Sequence, residues 1–177
     1  MSSDIRQMLK KELEKQNYIV DWVDLASKEV LYCNGCNHCW SVKPGVCAKN
    51  DDMVDIFPKL ANSELQIFIT SISFGGFNSD LNKVLDRYVA MGVPTYRVYK
   101  GQLHHPVRYP NPELFMTIGI LRNKNGRQEK TFELTSERMA TCFYAKKAAA
   151  VVLKEETEVH ENLQKVKIGL EKIEVNV

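Results

Sequence analysis

Apolar residues at Ile5, Met8, Leu9 and Leu13, with Lys, Glu and Gln between them, repeat with the period of an α-helix. Ser2, Ser3 and Asp4 stand where an N-cap belongs, Asp4 and Gln7 have capping-box spacing, and Asn17 marks a stop. The stretch "YIVDWVDL" (18–25) then alternates and is rich in β-branched and aromatic residues, which predicts a strand. A turn-rich loop with Gly35, Pro44 and Gly45 follows, and Asp51 and Asp52 open a second helix that contains Pro58.

From residue 65 the pattern changes to near-continuous apolar runs, as expected of strands covered on both faces of a parallel sheet. Such runs are "LQIFITSI" (65–72), "ELFMTIGIL" (113–121) and "AAAVVL" (148–153). Between them lie a glycine-containing loop "SFGGFNSD" (73–80), a helix "DLNKVLDRYVAMG" stopped by Gly92, and a long aromatic and basic loop (93–112). A turn "NKNGRQ", a helix "TFELTSERMATCFYA" and a last helix "EVHENLQKVKIGLEKI" complete the chain. Strand and helix alternate without a repeat or low-complexity linker. The pattern predicts one three-layer α/β domain over residues 1–177, built on a parallel sheet.

Composition narrows the function. The 177 residues are 44% hydrophobic and 26% charged, and a chain this long buries a full core without metal or disulfide staples. A net charge of +2 with no Lys/Arg block gives nucleic acid no electrostatic footprint. No apolar run reaches membrane-spanning length, and the charged N-terminal helix is unlike a signal peptide. A cytoplasmic setting is expected, in which clustered cysteines read as metal ligands or redox thiols.

Four of the five cysteines, Cys33, Cys36, Cys39 and Cys47, fall in one stretch with the spacing C-x2-C-x2-C-x7-C. A 4Fe–4S cluster suits this set, since each iron takes one thiolate. Zinc takes four thiolates too, usually as two separated pairs, and His38 is a further candidate ligand. A loop whose thiols pack without metal is the third reading, and the residues leave all three open. Cys142, in a helical pattern, reads as a small buried residue. Asp86 and Arg87 read as a helix-end ion pair. His104, His105, Arg108 and Tyr109 read either as a substrate or nicotinamide contact or as an interface loop.

Taken in order, "CNGCNHCWSVKPGVCAKNDDM", "ITSISFGGFNSDLNKVLDR" and "GQLHHPVRY" resemble the NADPH-dependent FMN reductase and iron–sulfur flavoprotein group of the flavodoxin-like superfamily. The similarity runs over about residues 18–154. It implies a flavodoxin-like sheet of order 2-1-3-4-5 with FMN at the carboxyl ends of the strands. Ser73, Phe74, Gly75 and Gly76 would lie beside the flavin, with glycine letting backbone amides approach its polar edge. A plain turn is the alternative reading of Gly-Gly.

The chain also departs from the family's pattern. The first strand and its phosphate loop are missing, so the fold is expected as an N-terminally truncated one. Ser2, Ser3 and the first helix's free N–H groups remain to receive the phosphate. Ser71 and Ser73 stand where relatives often carry Pro and Tyr.

The resemblance implies an FMN-dependent NAD(P)H oxidoreductase that passes electrons to a small acceptor, with FMN held weakly or not at all by this chain. One alternative is a non-catalytic flavodoxin-like module acting through oligomers or partners; another is an iron–sulfur flavoprotein with a 4Fe–4S cluster on Cys33, Cys36, Cys39 and Cys47. A homodimer or higher homo-oligomer is expected, with residues 18–25 pairing directly to 65–72 and the loops around Phe77 and 104–109 at the subunit contact. The cysteine loop is expected at the flavin end of the sheet.

Overall fold

A computed structural model describes residues 2–175 apart from Pro110, Asn111 and Lys124; the side chain of Ser2 also lies outside the described residues. In chain order the elements are α1 (Ser2–Lys15), α2 (His38–Ser41), α3 (Met53–Ala61), β1 (Leu65–Ser71) and α4 (Ser79–Arg87). They continue as β2 (Arg97–Tyr99), β3 (Gln102–His104), β4 (Leu114–Leu121), α5 (Gly126–Cys142), β5 (Lys147–Lys154) and α6 (Val159–Lys172). The three apolar runs form one parallel sheet of order β1-β4-β5, with Leu65 opposite Leu114 and Leu114 opposite Lys147.

Side-chain alternation divides the core between the two faces of this sheet. Met116, Ile118, Val151 and Leu153 bury themselves under α1 and α6, where Ile5, Leu9, Val166 and Leu170 meet them. Phe115 and partly buried Phe68 and Ile72 point the other way, onto Phe132 of α5 and Leu81 and Leu85 of α4. This is the three-layer α/β architecture of a flavodoxin-like domain. The α1 stop behaves as its sequence suggests: Asn17 adopts φ 63°, and the N–H of Tyr18 reaches back to the carbonyl of Leu13 at 3.1 Å.

Several sequence expectations need correction. Residues 18–25 do not form a strand; they run without regular structure into a 3-10 turn at Leu25–Ser27. They lie along β1 but do not pair with it. A strand needs a ladder partner for its backbone, and alternation alone does not supply one.

The amide of Ile72 bonds the carbonyl of Ile120, and Leu114 bonds the carbonyl of Glu64, so the even-numbered residues of β1 face β4. The backbone groups of Leu65, Ile67, Ile69 and Ser71 therefore face outward. Two adjoining cavities of about 310 and 670 Å³ separate that edge from Asp21, Trp22 and the rest of the 17–26 segment. The C-terminal "KIEVNV" does not fill the gap either. Ile173 and Val175 are buried beside α6, Lys147 pairs with Glu174 at the β5 side, and residues 176–177 lie outside the described residues.

Further along, α5 begins five residues before its predicted start, because Asn125 accepts the N–H of Gln128 as an N-cap. Cys142 at its end is exposed, not buried. The long loop contains a hairpin, β2–β3, turned by Lys100 and Gly101 at φ 47° and 73°. Phe77 is not at a surface; it packs against Phe132 in the chain's own core.

Candidate functional site

The segment entering the cysteine loop is held by two adjacent carboxylates at the start of α3. Asp52 accepts the N–H of Glu29 at 2.7 Å and the Lys28 ammonium at 3.1 Å. Asp51 accepts the N–H of Leu31 at 2.9 Å through one oxygen and that of Met53 at 3.2 Å through the other. The first of these oxygens also takes the Nη1–H of Arg87, which lies at the far end of α4. Both side chains of this ion pair are only 1% exposed.

Burial pushes the Asp51 carboxyl up, but the hydrogen bonds from Arg87, Leu31 and Met53 outweigh it and hold the group below the usual carboxylate range. Arg87 thus pairs with Asp51, 36 positions earlier in the chain, rather than with its neighbour Asp86. Its Nε and Nη2 are buried without a hydrogen-bond partner among the described residues.

Beyond this clip the loop folds back on itself. Asn37 at φ 57° starts the short α2, the N–H of Gly45 reaches the carbonyl of Cys39 at 2.9 Å, and Trp40 donates its indole N–H to the carbonyl of Val89. Cys33, Cys36, Cys39 and Cys47 consequently line a single cavity of about 140 Å³, with Asp86, Arg87 and Lys49 also in its wall. Burial, then the neighbouring Cys47, push the Cys39 thiol up. Among the described residues no three His, Cys, Asp or Glu side chains converge on a point for one metal ion. The four cysteines line one cavity instead. His38, on α2, does not line it.

The 73–76 loop occupies the other end of α4, beside its N-cap Asn78. α4 has nine residues, so its ends are on the order of 12 Å apart. The cysteine cavity is therefore not at the end of the sheet where the 73–76 loop lies; without a strand over 18–25, nothing delivers the cysteine loop there.

Ser73 and Gly76 exchange backbone hydrogen bonds of 3.1 and 2.8 Å, closing a two-residue turn with Phe74 at φ 51° and Gly75 at φ 83°. The Ser73 and Gly76 amides are thus engaged with each other rather than available to a cofactor. Gly75 is required by its dihedral and by space, since a Cβ there would lie 2.7 Å from Cβ of Thr131. Phe74 is 97% exposed at the tip. Beside it, at the carboxyl ends of β1 and β4, Ser71, Ser73, Arg122, Asn125 and Gln128 help to line a cavity of about 480 Å³.

Leu13 and Asn17 at the far end of α1 lie beside Leu65, so α1 carries exposed Ser3 away from the amino end of β1. Ser2 opens the helix. In the long loop, His105 shares its Nδ1 with the carbonyls of Val93 and Thr95 and packs against Trp40 and Tyr96. Arg108 donates to the carbonyl of Gly92. These are structural contacts, and they brace the cysteine loop through Trp40. Sequence reasoning missed Asp51 as the organiser of the site, because a helix-opening acidic pair gives no sign of a partner 36 residues away.

No family model matches the chain. Curated relatives do. An iron–sulfur flavoprotein of Archaeoglobus fulgidus is 28% identical over 82 residues, 46% of this chain and 36% of the relative. Two iron–sulfur flavoproteins of Methanocaldococcus jannaschii are 33% identical over 67 residues (38% and 34%) and 24% identical over 117 residues (66% and 53%). The matches thus span from about a third to about half of these relatives' lengths. Over these stretches the chain is similar to curated iron–sulfur flavoproteins, and its parallel α/β sheet is consistent with a flavodoxin-like fold.

Proposed function

We propose that the chain is an electron-transfer flavoprotein whose Cys33, Cys36, Cys39 and Cys47 hold a 4Fe–4S cluster. The observation that carries this reading is the shared cavity: four cysteines from one 15-residue stretch line a space of about 140 Å³. A polynuclear cluster takes one thiolate on each iron, and this dispersed arrangement suits it better than a single zinc does. When bound, the cluster supplies one-electron transfer. The chain supplies the ligands, Lys49 and Arg87 as nearby positive charge, and a loop held in shape by Asp51, Asp52 and Trp40. That the curated relatives carry the name iron–sulfur flavoprotein supports the same assignment.

Flavin is assigned to the carboxyl ends of β1 and β4, next to the 73–76 turn. The exposed ring of Phe74 takes over the stacking role that Ser73 cannot fill, and Ser3 with the free N–H groups of the first turn of α1 would receive the phosphate. With FMN there, NAD(P)H is the electron source, a small molecule or protein the acceptor, and the working form a homodimer or higher homo-oligomer. The cofactor carries the chemistry, and the protein orients it.

The serine- and glycine-containing turn that follows β1 spends the Ser73 and Gly76 amides on each other's carbonyls and leaves neither for a phosphate, so FMN affinity is weak. Each charge-assisted hydrogen bond forgone costs about 1.5–3 kcal/mol. Titration of the chain with FMN, followed by flavin fluorescence, tests this: micromolar or weaker binding is expected, and submicromolar binding contradicts it.

A further inference from the structure

Strand β1 has a hydrogen-bonded neighbour on one side only. Its even-numbered residues bond β4, while the backbone groups of Leu65, Ile67, Ile69 and Ser71 face the groove. The 17–26 segment runs along the other side of that groove. Tyr18 and Val20 line a cavity with Leu65 and Ile67, and Asp24 and Leu25 line the adjoining one with Phe68 and Ile69. The segment therefore runs in the same direction as β1. Among the described residues, the backbone groups of residues 19–23 make no backbone–backbone hydrogen bond.

Two open backbone edges, running the same way and separated by cavities of about 310 and 670 Å³, match one ligand shape: a single extended strand that bonds to both. The walls fix its side chains. Leu9, Leu13 and Val20 line the groove below α1, and Ile56, Leu81 and Val84 line it below α3 and α4. Successive side chains of a strand point to opposite faces, so a guest lying between two apolar faces is apolar at consecutive positions. Asp24 and Asp80 line the end of the groove toward Ile69, and Lys59 in the same wall is spent on Asp21 at 2.8 Å. That end favours a basic residue. The chain's own two-sided apolar runs, at 65–72, 114–121 and 148–153, already sit in the sheet, so a second copy has none to donate.

We propose that this groove is the docking site for an extended segment of a partner protein: a run of about six apolar residues followed by Lys or Arg, lying between β1 and the 17–26 segment. It enters parallel to β1, as the rest of the sheet is parallel, which brings its basic end to Asp24 and Asp80. Main-chain hydrogen bonds on both edges supply affinity, and the two apolar walls select the sequence. The site stands independently of iron and flavin, because its walls are all groups of the chain itself.

Titration of a fluorescent peptide with the full chain, followed by anisotropy, tests the proposal; the peptide carries about six alternating Ile and Val residues and then three lysines. Micromolar binding is expected. The same peptide N-methylated at every second residue, which loses the donors of one edge, is expected to bind at least tenfold more weakly. One with the lysines ahead of the run is expected to bind at least threefold more weakly. With the first peptide bound, exchange of the Ile67 and Ile69 amides should slow at least tenfold, with Gln66 and Phe68 unchanged. Ile67→Pro, which removes a groove-facing donor and no bond to β4, is expected to weaken binding at least tenfold. No binding at hundred-micromolar concentration, equal binding of any two of the three peptides, or unchanged exchange would overturn the proposal. Slow exchange at Ile67 and Ile69 without peptide would overturn it too, giving the groove to a second copy if the chain sediments as a dimer and to the 17–26 segment if it sediments as a monomer. The peptide comparison and the exchange measurement decide the matter even if Ile67→Pro does not fold.

Discussion

Arg87 and Asp51, 36 residues apart in sequence, form an ion pair that is almost wholly buried and joins the end of α4 to the segment just before the first cysteine. Removing one member leaves the other charge buried without a counterpart. Arg87→Ala is expected to destabilise the fold by about 3–5 kcal/mol, measured by urea denaturation. A loss below 1 kcal/mol would show that water reaches the pair in solution.

The same pair sets an acid limit. Hydrogen bonding from Arg87, Leu31 and Met53 overcomes the burial penalty and holds Asp51 below its ordinary pKa, so the folded chain takes up this proton less readily than the unfolded chain. Its contribution is complete above about pH 4 and is lost as pH falls through the lowered folded value. Asp52, depressed by the Glu29 amide and Lys28, acts in the same direction. Asp51→Asn is expected to flatten the fall of unfolding free energy between about pH 4 and 2. An unchanged slope would assign the acid limit to other groups.

Phe74 holds a left-handed backbone conformation at an exposed turn where Asn is favoured. Left-handed geometry costs an ordinary L-residue about 1–2 kcal/mol. Phe74→Asn should therefore raise the melting temperature by roughly 2–4 °C for each kcal/mol recovered while weakening FMN binding, if the ring serves the flavin. A stabilised variant with unaltered FMN affinity would remove Phe74 from the flavin site.

The outward edge of β1 predicts an alternating pattern of amide exchange. The amides of Gln66, Phe68 and Thr70 face β4 and should be protected, whereas those of Leu65, Ile67 and Ile69 face the groove and should exchange faster. Equal protection along the whole strand would mean that another strand covers the groove, as a second copy of the chain could do. Sedimentation equilibrium over the micromolar range would then say whether that copy is present.

How far the sequence reached depended on how local each signal was. The runs at 65–72, 113–121 and 148–153 declared themselves as parallel strands, of which β4 and β5 supply buried core and β1 is mostly half-buried beside its open edge, and Ile5, Met8, Leu9 and Leu13 declared a helix face that is buried. Residues 18–25 carried the same local pattern, but a strand also needs a neighbour, and the alternation of Ile19 to Leu25 contains no information about one. The turn at 73–76 was visible from its glycines. That Ser73 and Gly76 bond to each other followed only from the geometry. In the cysteine loop the spacing of Cys33, Cys36, Cys39 and Cys47 left a cluster, zinc and metal-free packing all open, whereas the Asp51–Arg87 clip depends on a contact between the start of α3 and the end of α4 that no periodicity encodes.

Anaerobic reconstitution with ferrous iron and sulfide tests the central claim most directly. The chain is expected to take up about four irons, since each cysteine serves one, and to develop broad visible absorption that Cys36→Ser abolishes. A colourless product, or iron uptake that persists when Cys33, Cys36, Cys39 and Cys47 are all replaced by serine, would contradict the account.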